Sequence, residues 1–365
     1  MNAPANHPAT DPARKPTSKR PVSRRTRLGW YHAFVHGVLL IGRRVPKDPE
    51  VLLENVPEPV RQLALLVEQR RSHFAAVARS LGSDYKGGYW MMYLIAPLAV
   101  ACAASAVAGF GNARMLSGVE LLLIVAILLL FVVMRRSGWQ EKWIQARRTA
   151  EHLRYLPLVA PFVGNRNANW YEQMAAQRGL RIIVDPEVTR VCTWLATTDV
   201  PDALRLEDPV FHAGFARYVA DVLAQQIRYH AQKAAVEHTL GHRVGLMSTV
   251  FFAITVLCTA VLFIGNFAGR GRPGVDLRLF ATVLPAIGAG LRGVLAQGES
   301  HRVATLSEGM VVRLTQLREQ LESLPVDVTS HRDLENLVWN ALQELLSEAD
   351  TWMRLQESAP LSVAG

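Results

Sequence analysis

The chain has 365 residues, a formal net charge of +9, 50% hydrophobic and 19% charged residues. So much apolar sequence beside so little charge excludes an ordinary soluble globule with evenly spread hydrophobics and requires apolar blocks. Three cysteines, Cys102, Cys192 and Cys258, are odd in number and lack metal-ligand spacing, which excludes a disulfide scaffold and is compatible with a reducing compartment.

Residues 1–28 are rich in Pro, Ala, Ser, Lys and Arg and read as a disordered basic arm. Ser23–Leu28 loosely resembles a twin-arginine export signal, but IGRRVPKDPE follows the short apolar run Phe34–Ile41 where a small-residue cleavage site would stand. That run is expected to stay and pack on the rest. Pro57–Leu81 is a helix with Val60, Leu63, Val67, Phe74 and Val77 on one side. It leads to a first membrane span at Tyr89–Gly109, with Tyr89, Trp90 and Tyr93 as an interfacial belt.

A turn at Gly111-Asn112 precedes the second span, Val119–Met134, the strongest membrane signal in the chain. The basic amphipathic stretch after it carries Trp139 and Trp143 at the level expected for headgroups. Residues 159–217 read as a small cytosolic connector of short helices. Ala216–Gly245 is a long helix entering a third span at Gly245–Phe267. The turn NFAGRGRPG leads to the fourth span, Val275–Leu295, which is expected to run unbroken into an amphipathic helix carrying Val303, Leu306, Met310, Leu314 and Leu317. Pro325 ends that helix, and Asp333–Leu355 is a last amphipathic one.

The order long helix, span, short turn, span, long helix occurs twice. An offset of 157 residues relates Arg71 to Arg228 and Glu151 to Glu308, which points to a duplicated two-span unit. The expected fold is all-α with four transmembrane helices in two hairpins and long cytosolic amphipathic helices. Its parts are a basic arm (1–28), a first two-span unit (29–158), the connector (159–217), a second two-span unit (218–324) and a C-terminal helix with its tail (325–365). Basic residues beside the spans, Arg79, Lys86, Arg135, Arg136, Lys142, Arg147 and Arg148 against Arg114 alone in the first outer turn, orient the first hairpin with both ends in the cytoplasm. The second hairpin is less decisive, because Arg270, Arg272 and Arg278 fall on its outer side. An inner-membrane, multi-pass protein with both termini cytoplasmic follows.

No Walker loop, GxGxxG, HExxH or favoured Ser-His-Asp spacing is present, so no enzyme, metal or cofactor is expected, and no basic-aromatic repeat points to nucleic acid. The residues that stand out lie in the spans. Pro285 removes a backbone donor mid-span, Gly288 and Gly290 admit a neighbouring helix, and Arg292 lies within snorkelling reach of the interface. They fit either a gate or tight static packing. Glu120 and Asp276 hold similar places at the outer ends of the second and fourth spans, where they would be solvated or ring a pore in an oligomer. Glu151 and Glu308 are expected to pair with arginines of neighbouring helices, with Arg71 and Arg228 as partners.

Trp143, Arg147, Ala150, Glu151, Leu153 and Arg154 after a span resemble the W-x3-R-x2-A-E-x-L-R signature of the SMODS and SLOG-associating two-transmembrane effectors, called SLATT. Asn169-Trp170-Tyr171, Gln226 to His230, LPAIGAGLRGVLAQGE and Trp352 are similar to its later sections, so the resemblance covers residues 60–355. It implies a bacterial conflict-system effector that is homo-oligomeric and pore-forming or membrane-disrupting in the lipid bilayer, acting with a nucleotide-sensing or nucleotide-generating partner protein. Four spans exceed the family's two, and no SLOG domain lies within the chain. A membrane-anchored scaffold or sensor is the competing expectation.

Overall fold

The computed structural model describes residues 27–41, 46–53, 56–163, 169–179, 182, 184–197, 208–267, 275–324 and 331–358. The basic arm up to residue 26, the turn with Arg270 and Arg272, and the break at Pro325 lie outside the described residues. Among the described residues every regular element is helical: α1 (Arg27–Leu39), α2 (Glu58–Ala108), α3 (Ala113–Ser137), α4 (Trp139–Val159), α5 (Trp170–Gln177), α6 (Pro186–Thr197), α7 (Pro209–Phe267), α8 (Val275–Gly298), α9 (Ser300–Glu322) and α10 (His331–Ser358).

Four helices are long and apolar enough to cross a membrane: α2, α3, α7 and the α8–α9 pair. Their apolar surfaces point outward. Leu121, Leu122, Leu128 and Leu129 on α3 and Phe252, Leu257 and Phe263 on α7 are exposed, a surface too large and continuous to face water. α2 has 51 residues and α7 has 59, so at 1.5 Å per residue they run roughly 75 and 90 Å, far beyond a hydrocarbon core of ~30 Å. Each carries its apolar end without interruption into a polar half.

The glycine-rich stretch before the first span does not break α2, because each glycine serves a contact. A side chain at Gly82 would meet the Trp143 ring, one at Gly87 the Leu28 carbonyl, and one at Gly88 the Met134 thioether. α2 ends at Gly109 in the left-handed conformation, with the Gly109 N–H donating to the Ala106 carbonyl and that of Phe110 to Ser105. The Asn112 side chain then accepts from the Arg114 N–H at 3.0 Å and starts α3. α3 packs back on α2, and α8 packs on both α2 and α7.

Two hydrophobic cores divide the molecule. The polar half holds one in which α4, α5, α6, α9, α10 and the amino-terminal parts of α2 and α7 bury Trp170, Tyr171, Phe215, Tyr218, Leu314 and Leu342. The short helices of the connector are therefore built into this body. The second core lies where polar and apolar halves meet and buries Tyr85, Trp90, Met92, Trp143, Val294 and Trp352. Tyr89 and Trp90, expected with Tyr93 to form an interfacial belt, are 4% and 2% exposed and fill that core together with Trp143, while Tyr93 is half-buried. α1 packs on α2 and turns Trp30, Phe34, Val38 and Ile41 outward. Arg243 of α7 donates to the Leu39 and Ile41 carbonyls at 2.8 and 3.1 Å, satisfying acceptors at the α1 end.

Two expectations need correction. α8 does not run unbroken into α9: Glu299 between them adopts φ 50°, ψ 28°, the left-handed region. The 157-residue offset also fails on the long helices, since it equates buried Arg71 with exposed Arg228. The buried series Val60, Leu63, Val67, Arg71 and Ala75 matches Phe215, Tyr218, Val222, Gln226 and His230 at a shift of 155, and a shift one helical turn longer matches as well. On the later helices 157 does hold, pairing buried Trp143, Ala146, Ala150 and Leu153 with buried Ser300, Val303, Ser307 and Met310.

Candidate functional site

Two cavities and one joint collect the chemistry. The first cavity is a groove of about 960 Å³ between the apolar parts of α2, α3 and α8. Small residues open it: Ala96, Ala99, Ala103 and Ala104 from α2, and Ala286, Ala289 and Gly290 from α8. Glu120 and Arg278 line it near the ends of the helices that adjoin the interhelical turns. Asp276 is exposed and does not line it, so the two acidic residues expected to be alike differ, and a basic residue shares the groove with Glu120.

The α8 residues meet neighbours inside the same chain. A side chain at Gly290 would come within 2.5 Å of the Tyr93 carbonyl, and one at Gly293 would strike the Tyr93 ring. These two glycines let α8 touch α2. Gly288 faces α7, where the buried Ser248 hydroxyl donates to its carbonyl at 3.1 Å. Arg292 is exposed, with Nε donating to the same hydroxyl at 3.4 Å. Pro285 lies within α8 and is half-buried; the helix continues through it, and the geometric break comes at Glu299.

The expected ion pairs take other partners. Glu151 accepts from Arg154, one turn along α4, at 2.5 Å, and both are buried. Arg71 is held by Glu68 in its own helix at 2.6 Å. Glu308 contacts His238 of α7 at 2.7 Å, with both side chains about half exposed, while Arg228 is exposed. The i,i+3 spacing within one helix satisfies the first two pairs without any neighbour.

Residues 74–169 are similar to DUF4231, a family of proteins of unknown function. No curated protein and no solved structure matches the chain. The matched segment runs from the middle of α2 through α3 and α4, and it supplies much of the second cavity.

That cavity, of about 470 Å³, lies where α1, α2, α4, α7, α10 and the α8–α9 joint meet. Arg79 and Lys86 enter from α2, Arg147, Glu151 and Arg154 from α4, and Lys233 and Glu237 from α7. His32, His36, Lys47 and Asp48 come from the amino-terminal segment, and Trp352 from α10. Glu348 of α10 contacts Lys233 at 3.4 Å. The Arg147 guanidinium sits 4.2 Å from the centre of the Trp352 ring, and the Lys86 ammonium 5.6 Å from that of Trp143. Trp143 and Trp352 meet edge to face at 5.1 Å.

Burial dominates the protonation of this region. It lowers His32 to about 3 and His36 to about 4, and Lys86 pushes both the same way. Burial also lowers Lys86; Glu237 opposes this, while Arg147 and Lys233 add to it. Burial works against the charges of Lys233 and Glu348 too, but their mutual attraction wins and keeps both ionised. The sequence marks Lys86 as a flanking basic residue and Arg147 as both a flanking basic residue and part of the SLATT-like signature. Nothing in their spacing along the chain announces that helices from four parts of the sequence bring them together.

Proposed function

We propose that the chain is a bacterial inner-membrane effector of a conflict or defence system. Four spans form two hairpins derived from a duplicated unit, both termini face the cytoplasm, and homo-oligomers open or disrupt the bilayer when triggered through the cytosolic helices. The observation that carries the reading is the alanine-lined groove of about 960 Å³ with Glu120 and Arg278, whose small residues leave space between apolar helices for close approach by a second copy or for water. The SLATT-like residues of α4 and the matching burial of α4 and α9 support it. In this reading a nucleotide-sensing or nucleotide-generating partner supplies the trigger, and the chain has no catalytic role.

A second reading, a membrane-anchored scaffold or sensor, draws on the large polar body in which α5, α6 and α10 cover the long helices. The exposed Trp30, Phe34, Val38 and Ile41 stripe sets a membrane level beside the second core in both readings. Reporter fusions at Asn112 and Gly271 should map outside and one at Gly179 inside; a cytoplasmic signal at Asn112 contradicts the topology. Dye release from vesicles separates the readings, since a scaffold leaves them tight.

A further inference from the structure

The 470 Å³ cavity holds more positive charge than its own carboxylates answer. Six basic side chains line it, Lys47, Arg79, Lys86, Arg147, Arg154 and Lys233, against Asp48, Glu151 and Glu237. Glu348 on Lys233 brings the carboxylates to four and leaves an excess of two positive charges, equal to the exposed Lys47 and Arg79. Arg154 is taken by Glu151 and Lys233 by Glu348. Asp48 lies among Arg147, Arg154, Arg79 and Lys233 and accepts a long 3.4 Å hydrogen bond from the Tyr229 hydroxyl.

Arg147 and Lys86 are held differently. Each lies over a tryptophan ring, which steadies a cation without neutralising it, and among the described residues neither has a carboxylate at ion-pair distance. The two are close enough for Arg147 to disfavour the Lys86 charge. Asp48, Glu151 and Glu348 favour the Arg147 charge and Glu237 that of Lys86 through space, but among the described residues no carboxylate sits on either cation, so both can still contact a bound anion. The cavity is too roomy for one water and suits a group of several heavy atoms.

We propose that this cavity binds a phosphate group, with Arg147 and Lys86 as its principal cations and Arg79 beside them. Arg147 presents a planar donor fork suited to phosphate oxygens, and the exposed Lys47 and Arg79 add positive charge at the cavity's edge. The group arrives either on a small soluble molecule from the polar side or as the headgroup of an anionic phospholipid, because the cavity adjoins the apolar half. Its wall includes Gly298 at the α8–α9 joint. The Tyr85 hydroxyl accepts from Gln297 at 3.2 Å, which ties the same joint to α2. The proposal concerns binding alone and stands whether or not the protein forms a pore.

The test uses the full chain in nanodiscs of phosphatidylcholine and follows its thermal unfolding. Titration with sodium pyrophosphate, against sodium chloride at equal ionic strength, is expected to raise the midpoint saturably. That result assigns a soluble phosphate source. A raised midpoint in discs containing phosphatidylglycerol, with the pyrophosphate response gone, assigns a headgroup and supports the same chemistry. Lys86→Gln is expected to raise the midpoint of the unliganded protein, by removing a buried charge that Arg147 and Lys233 disfavour, and to shrink either response at least tenfold in apparent affinity. Arg147→Gln should lose the response as well, and Arg136→Gln, outside the cavity, should keep it. A wild-type midpoint indifferent to both pyrophosphate and phosphatidylglycerol overturns the proposal whatever the variants do. So does a Lys86→Gln protein that is less stable yet responds as the wild type does.

Discussion

The turns that join each second span to its polar helix make a natural pair. Gly138 between α3 and α4 has φ 60°, ψ 35°; Glu299 between α8 and α9 has φ 50°, ψ 28°. The backbone path is nearly the same, yet one site carries glycine, which adopts it freely, and the other carries glutamate, for which the left-handed region costs roughly 1–2 kcal/mol. The helices that follow also differ. α4 is buried along most of its length, including Glu151, His152 and Arg154, whereas α9 buries one face and leaves Glu308 half exposed. The first joint is relaxed and lies among exposed and half-buried residues. The second is strained and flanked by buried Gln297 and Ser300, and backbone strain of this kind marks a candidate for a bistable element.

The largest effect expected from this contrast is in the ion pairs. Arg154→Ala strands the buried Glu151 and should lower unfolding stability by about 3–5 kcal/mol. His238→Ala, which frees the half-exposed Glu308, should change it by less than about 0.5 kcal/mol. Equal losses measured in detergent by thermal or denaturant unfolding would erase the distinction between α4 and α9.

Next come the joints themselves. Glu299→Gly should stabilise by about 1 kcal/mol through relief of φ strain, and Gly138→Glu should destabilise by a similar amount. A Glu299→Gly protein no more stable than the parent would remove the strain from the account.

Acid comes next. Burial lowers both His152 and His230 to about 4, below the ordinary value of 6.5. Between those values the unfolded chain binds protons that the folded one does not, so stability falls as pH falls from about 6.5 to 4, by roughly 1 kcal/mol per unit for each buried ring. Their contribution is complete above pH 6.5. His152→Gln should flatten part of that slope. A stability profile flat from pH 7 to 5 would contradict the buried neutral rings.

Much of this was legible in the chain, for physical reasons. Uncharged runs such as LLLIVAILLLFVVM report a membrane-length helix because few other environments accept them. Helix faces were legible too: Val60, Leu63 and Val67 are buried as their spacing requires. The continuity of α2 across Gly82, Gly87 and Gly88 was not, since glycine reads as a breaker until its close neighbour is known. The break at Glu299 is not legible because glutamate signals helix. Glu151 misled for a similar reason: its arginine partner was sought on another helix while Arg154 stood one turn away. The basic cavity was hidden most deeply, because Lys86, Arg147, Lys233 and Trp352 meet only when α2, α4, α7 and α10 assemble.

The central proposal is that the chain breaches the bilayer and that α8 with its joint governs the breach. A potential-sensitive dye in bacteria expressing the wild type, Pro285→Ala and Glu299→Gly at matched membrane abundance tests it most directly. The account predicts depolarisation by the wild type and an altered extent or onset in both variants, with Leu129→Ala in α3 behaving as the wild type at equal abundance. A membrane that stays fully polarised under the wild-type chain, or identical depolarisation by all four proteins, would contradict it.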